Sequence, residues 1–165
     1  MKPKNFNNAV NYLNQLRGLF YIFVGIPLVI FVVVFLLYRG NTFEPIYEGL
    51  SLKTIQILCA LLVLAGGLAF IYYFKNLPKA KQGQNLREKL TVYYQICFVQ
   101  FSILSFISII DLLLFFLSGH KLFAGAYVLL LIMLSLNNPS YYNVVGNLKL
   151  LKEERDIMKN NKNIA

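Results

Sequence analysis

Residues 19–38 read LFYIFVGIPLVIFVVVFLLY, a stretch whose only ionisable groups are the phenols of Tyr21 and Tyr38. A hydrocarbon core of about 30 Å needs about 20 apolar residues at a helical rise of about 1.5 Å each. The block meets that requirement without interruption, and it sets the class of the whole chain: an all-α membrane protein.

Working outward, three further blocks follow in the 165 residues. Ile55 to Phe74 interrupts its apolar run with Gln56, Leu90 to Leu117 carries the single acid Asp111, and Leu122 to Leu136 is shorter. Flanked by Ser118, Gly119 and His120 on one side and Asn137 and Asn138 on the other, the last block still spans if those polar residues take the interfaces. The expected organisation is a single membrane domain, a four-helix transmembrane bundle with spans at 19–38, 54–75, 90–117 and 121–137. An outer loop at 39–53 and a cytoplasmic loop at 76–89 connect them.

Charge orients the bundle. Thirteen of the 16 Lys and Arg residues fall before the first span, between the second and third, or after the fourth; Arg39, Lys53 and Lys121 lie on the other side. Short loops rich in Lys and Arg stay in the cytoplasm, so both termini are read as inside, in the cell (inner) membrane. This sidedness, together with attraction to anionic inner-leaflet lipid, accounts for the formal charge of +9 without invoking nucleic acid. The first block reads as an anchor rather than a signal peptide, since it exceeds an h-region and residues 39–49 offer no A-x-A-like cleavage site.

An amphipathic helix is expected at each cytoplasmic end. In residues 5–17, Phe6, Ala9, Val10, Leu13 and Leu16 recur at helical spacing against an opposite face of asparagines and Gln15. In residues 140–160, Ser140 offers a helix N-cap, and Tyr141, Val144, Val145, Leu148 and Leu151 share one face. Lys149 with Glu153 and Lys152 with Asp156 then stand at i,i+4 on the wet side. In the outer loop, Phe43, Glu44, Pro45, Tyr47 and Glu48 suggest a short interfacial turn. Gly25-Ile26-Pro27 invites a kink in the first span, and Pro78 with Gly83 marks the end of the second helix and a turn, with the third starting near Asn85. Ala60, Ala65, Gly66, Gly67 and Ala69 give the second span a smooth packing face.

Candidate chemistry is sparse. Cys59 and Cys97 lack C-x-x-C spacing, nucleotide-binding signatures are missing, and Glu153, Glu154 and Asp156 are interleaved with Lys and Arg as on a solvated helix face. No catalytic residue, metal ligand or cofactor is expected. Asp111 is different, because a carboxylate inside a span is costly. With Ser108, Ser105 and Gln100 it makes a polar track on the third span, about 9 Å below the outer end by helical rise, although a spacing of three drifts around the helix. The structural alternative pairs Asp111 with His120, Lys121 or Arg39, or bonds it to neighbouring serines. On the cytoplasmic side, Lys79, Lys81, Arg87, Lys149, Lys152 and Arg155 form the expected basic surface.

Asn138-Pro139-Ser140, followed by Leu148-Lys149-Leu150 and Glu153-Glu154-Arg155, resembles the tail of small four-span membrane proteins of Bacteroidota whose function is unassigned. The resemblance implies a four-span fold and carries no activity. The functional expectation is therefore a non-enzymatic membrane protein that works through lipid or protein contacts, including contacts with further copies of itself, as a subunit, scaffold or regulator. The alternative is an oligomeric small-solute or ion conduit using Asp111.

Overall fold

The computed structural model describes residues 3, 6–40, 46, 49 and 51–164. Six helices make up the described structure: α1 (Ala9–Arg39), α2 (Leu52–Lys81), α3 (Leu86–Ser118), α4 (Lys121–Leu136), α5 (Tyr141–Leu148) and α6 (Lys152–Lys159). Three of them, α1, α2 and α3, are long and apolar enough to cross a membrane, and a fourth span results if the bent pair α4 and α5 counts as one. The chain is thus a helical, multi-pass membrane protein. The expected turn around Glu44, Pro45 and Glu48 lies outside the described residues.

Boundaries differ from expectation in three places. The N-terminal amphipathic segment and the first span form one helix of 31 residues, because nothing between Leu16 and Leu19 breaks it. Pro27 sits inside that helix. Helix α2 likewise runs through Pro78 to Lys81 rather than stopping at residue 75, burying Leu77 and Ala80 on the way. The cytoplasmic loop shrinks to residues 82–85. Asn85 Oδ1 accepts from Glu88 N at 2.9 Å while Glu88 Oε2 accepts from Gln84 N at 2.8 Å, a reciprocal cap that starts α3.

The third difference is at the C-terminal end, where the single helix expected over 140–160 divides into α5 and α6. Ser140 does cap α5, its Oγ accepting from Asn143 N at 3.2 Å. Lys149 then adopts a left-handed conformation, φ 50°, and ends the helix; Leu150 is driven inward to 1% exposure. The break separates Lys149, the cap of α5, from Glu153 on α6, and no ion pair forms between them or between Lys152 and Asp156 among the described residues.

The helices sort into two compact units. Unit 1 comprises Met1–Tyr21, Phe70–Phe101 and Asn137–Ala165, and unit 2 comprises Ile22–Ala69 and Ser102–Leu136. In unit 1 the N-terminal apolar face is occupied by protein: Phe6, Ala9, Leu13 and Leu16 are buried with Tyr12, whereas Val10 remains exposed. The C-terminal segment is docked in the same way through Val144, Leu148, Leu150, Met158 and Ile164. An antiparallel bridge joins Asn8 to Asn163, Ile164 N donates to Asn7 O at 2.8 Å, and Val10 N donates to Asn161 Oδ1 at 3.1 Å.

In unit 2, α3 and α4 form a hairpin closed at Gly119, whose φ of 62° favours glycine and whose N–H bonds Phe115 O at 2.8 Å. Ile55, Phe115 and Phe123 form the core beneath that turn, with Val34, Tyr38 and Leu58 packed around them. Outward stripes remain apolar: Ile22, Ile26, Val29 and Val33 on α1, and Ile57, Leu61, Leu64 and Leu68 on α2 are all exposed, as lipid-facing positions require.

Candidate functional site

Why Asp111 can be buried follows from which helix carries it. The apolar window of α3 is 44% buried, against 17% for α1 and for α2, so α3 is enclosed around much of its circumference. The drift of a three-residue spacing therefore does not turn the polar track out to lipid. Ser105, Ser108 and Asp111 are all buried, with Asp111 and Ser108 at 0% exposure. Gln100 is also buried, but it belongs to unit 1.

None of the expected partners reaches the carboxylate. Asp111 Oδ1 and Oδ2 make no hydrogen bond, and no cation lies at ion-pair distance from it among the described residues. His120 instead caps α4, its Nδ1 accepting from Leu122 N at 3.3 Å. Arg39 and Lys121 line a cavity of about 360 Å³ with Phe35, Tyr38, Phe115 and Ala124. The structural reading that pairs Asp111 with Arg39, Lys121 or His120 is thereby corrected: the cations stay at the helix ends, where charge remains hydrated.

What the sequence did not single out is Tyr127. In the α3–α4 hairpin, Phe115 and Phe123 share one core cluster. Asp111 and Tyr127 each lie four residues, about one helical turn, farther from Gly119 than those two phenylalanines. They therefore sit at the same level of the hairpin. Phe31 of α1 stacks on the Tyr127 ring, centroids 4.5 Å apart and planes inclined by 18°, which fixes the phenol. Tyr127 OH and Ser108 Oγ are buried without a hydrogen-bond partner, like the Asp111 oxygens. Ser108 is one turn from Asp111 on the same side of α3.

Unit 1 holds a second polar centre, and here every member is satisfied. Tyr73 OH donates to Tyr93 OH at 3.2 Å, Asn147 Nδ2 donates to the same oxygen at 3.2 Å, and Tyr12 OH donates to Leu90 O at 2.9 Å. Lys89 Nζ meets Glu154 Oε1 at 2.7 Å, while Glu154 Oε2 accepts from Leu151 N at 2.9 Å. Arg17 Nε reaches Pro139 O at 3.4 Å.

The six residues of the expected basic surface all belong to unit 1 but differ in freedom. Arg87 lies over the Phe6 ring, 5.5 Å from its centroid, and Arg155 Nε donates to Leu150 O at 2.8 Å. Lys81 is half-buried; Lys79, Lys149 and Lys152 are exposed. Interleaved acids and bases gave no signal in the sequence that Lys89 and Glu154, 65 residues apart, would pair.

Comparison with protein-family models, with curated proteins and with solved structures yields no match. Function has to be argued from these two centres.

Proposed function

We propose that this chain is a four-span, non-enzymatic inner-membrane protein that works through contacts, as a subunit, scaffold or regulator, with unit 1 at the cytoplasmic face against anionic lipid. One observation carries the reading. The stretches that make up unit 1 contain thirteen basic residues against four acidic ones, whereas those of unit 2 contain three of each, so unit 1 carries the whole formal charge of +9. The units are divided by packing alone, and the division coincides with the charge asymmetry that sets topology.

Within unit 1, Lys79, Lys149 and Lys152 are exposed and available to phosphate headgroups. Each lysine near an anionic surface contributes about 1 kcal/mol. In uncharged detergent, the wild-type protein should retain phosphatidylglycerol over phosphatidylcholine, read by native mass spectrometry. Lys79→Gln, Lys149→Gln and Lys152→Gln combined should abolish that preference. Equal retention of the two lipids by the wild type would overturn the lipid contact.

A second reading, an oligomeric ion or small-solute conduit, is favoured by the unpartnered oxygens of Asp111, Ser108 and Tyr127. It requires flux in proteoliposomes that disappears with Asp111→Asn.

A further inference from the structure

We propose that Asp111, Ser108 and Tyr127 form a binding site for one monovalent alkali cation, sodium or lithium, within unit 2. This inference deepens the conduit reading and shares its residues, but it concerns equilibrium binding, which holds whether or not ions cross.

The donor atoms come first. Asp111 Oδ1 and Oδ2, Ser108 Oγ and Tyr127 OH are four buried oxygens with no hydrogen-bond partner. Buried polar groups are almost always paired, and an isolated carboxylate in an apolar interior is costly, so these orphans on one hairpin call for a ligand. Their placement is built rather than incidental. Ser108 and Asp111 are one turn apart on α3, Tyr127 is level with Asp111 across the hairpin, and Phe31 stacks against the phenol ring at 4.5 Å.

Donor type and charge then select the ligand. Oxygen donors suit hard cations. A single carboxylate neutralises one positive charge, so a monovalent ion leaves the buried site neutral, whereas a divalent ion would leave a net charge in a medium that penalises it. Among the described residues, no three His, Cys, Asp or Glu side chains come together, so the softer transition-metal donor sets are missing here.

The test uses the full chain in uncharged detergent. Thermal midpoints are compared in sodium, lithium, potassium and choline chloride at equal ionic strength, and labelling of Asp111 by dicyclohexylcarbodiimide is followed by mass spectrometry. Sodium or lithium should raise the midpoint above choline. Because only the unoccupied carboxyl reacts, labelling should slow about a hundredfold at a cation concentration about one hundred times Kd. Ser108→Ala and Tyr127→Phe should each weaken the protection, and Asp111→Asn should remove the midpoint shift. Identical midpoints in all four salts, or labelling at the same rate with and without sodium, overturns the site, and the wild-type labelling decides even if Asp111→Asn fails to fold. Sodium protection without flux supports the site while removing the conduit.

Discussion

Asp111 and Tyr127 face the same level of the α3–α4 hairpin, each one turn deeper than the Phe115 and Phe123 pair beneath Gly119. The register follows from the tightness of the turn, since Ser118 ends α3 and Lys121 begins α4. A hairpin this short leaves little freedom to slide one helix past the other, so the shared level of carboxylate and phenol is set by the chain.

The same packing distinguishes two adjacent glycines. A Cβ on Gly66 would lie 2.8 Å from Leu130 Cδ2 and 3.3 Å from Met133 Sδ, whereas one on Gly67 would meet nothing within 4 Å. Gly66→Val is expected to destabilise by about 1–3 kcal/mol through overpacking. Gly67→Val, at the surface, should stay within about 0.5 kcal/mol. Thermal unfolding in detergent compares the two, and equal effects would show that α2 does not seat on Leu130 as described.

In unit 1, Tyr93 OH joins Tyr73 and Asn147. Tyr93→Phe strands the buried Tyr73 hydroxyl and should cost about 1–3 kcal/mol. Tyr142→Phe, at a position 82% exposed, is the control and should be silent. A neutral Tyr93→Phe would remove this network from the account of how α5 docks.

Lys89 and Glu154 meet at 2.7 Å with each side chain 13% exposed. A double-mutant cycle through Lys89→Ala and Glu154→Ala should give a coupling of about 1 kcal/mol. The coupling should survive moderate salt better than a fully exposed pair would, because partial burial limits screening. No coupling would mean that the pair is decorative.

Lys149 holds φ at 50°, a conformation that glycine adopts without the Cβ penalty. Lys149→Gly should therefore raise the unfolding midpoint, by the equivalent of about 1 kcal/mol, while lowering phosphatidylglycerol retention if that lysine touches lipid. The two readouts move in opposite directions, which separates backbone strain from charge.

How much of this was legible in the sequence depends on the range of the interaction. Apolar blocks found α1, α2 and α3 because burial in lipid needs only composition and length, and Ser140 announced α5 because a cap is a local bond. The joining of the N-terminal segment to the first span, and the passage of α2 through Pro78, went unseen because helix continuity across a weak breaker is decided by tertiary packing. For the candidate site, Asp111 and Ser108 stood out as polar letters in an apolar block. Tyr127 did not, since a tyrosine in a span is unexceptional until the hairpin register puts it level with a buried carboxylate. Gln100 was legible as polar but joins the wrong unit, which linear spacing cannot reveal.

The bridge from Asn8 to Asn163 has a consequence for how the protein is made. Residues 6–16 leave the ribosome well before residues 144–164 exist, and every hydrophobic block must enter the bilayer in between. Half of the contact therefore waits, its apolar side chains unclaimed, until residues 144–164 have been made. Unit 1 is completed after unit 2, so variants that weaken it should insert normally and be lost afterwards, which a pulse-chase experiment would register as delayed proteolysis rather than failed integration.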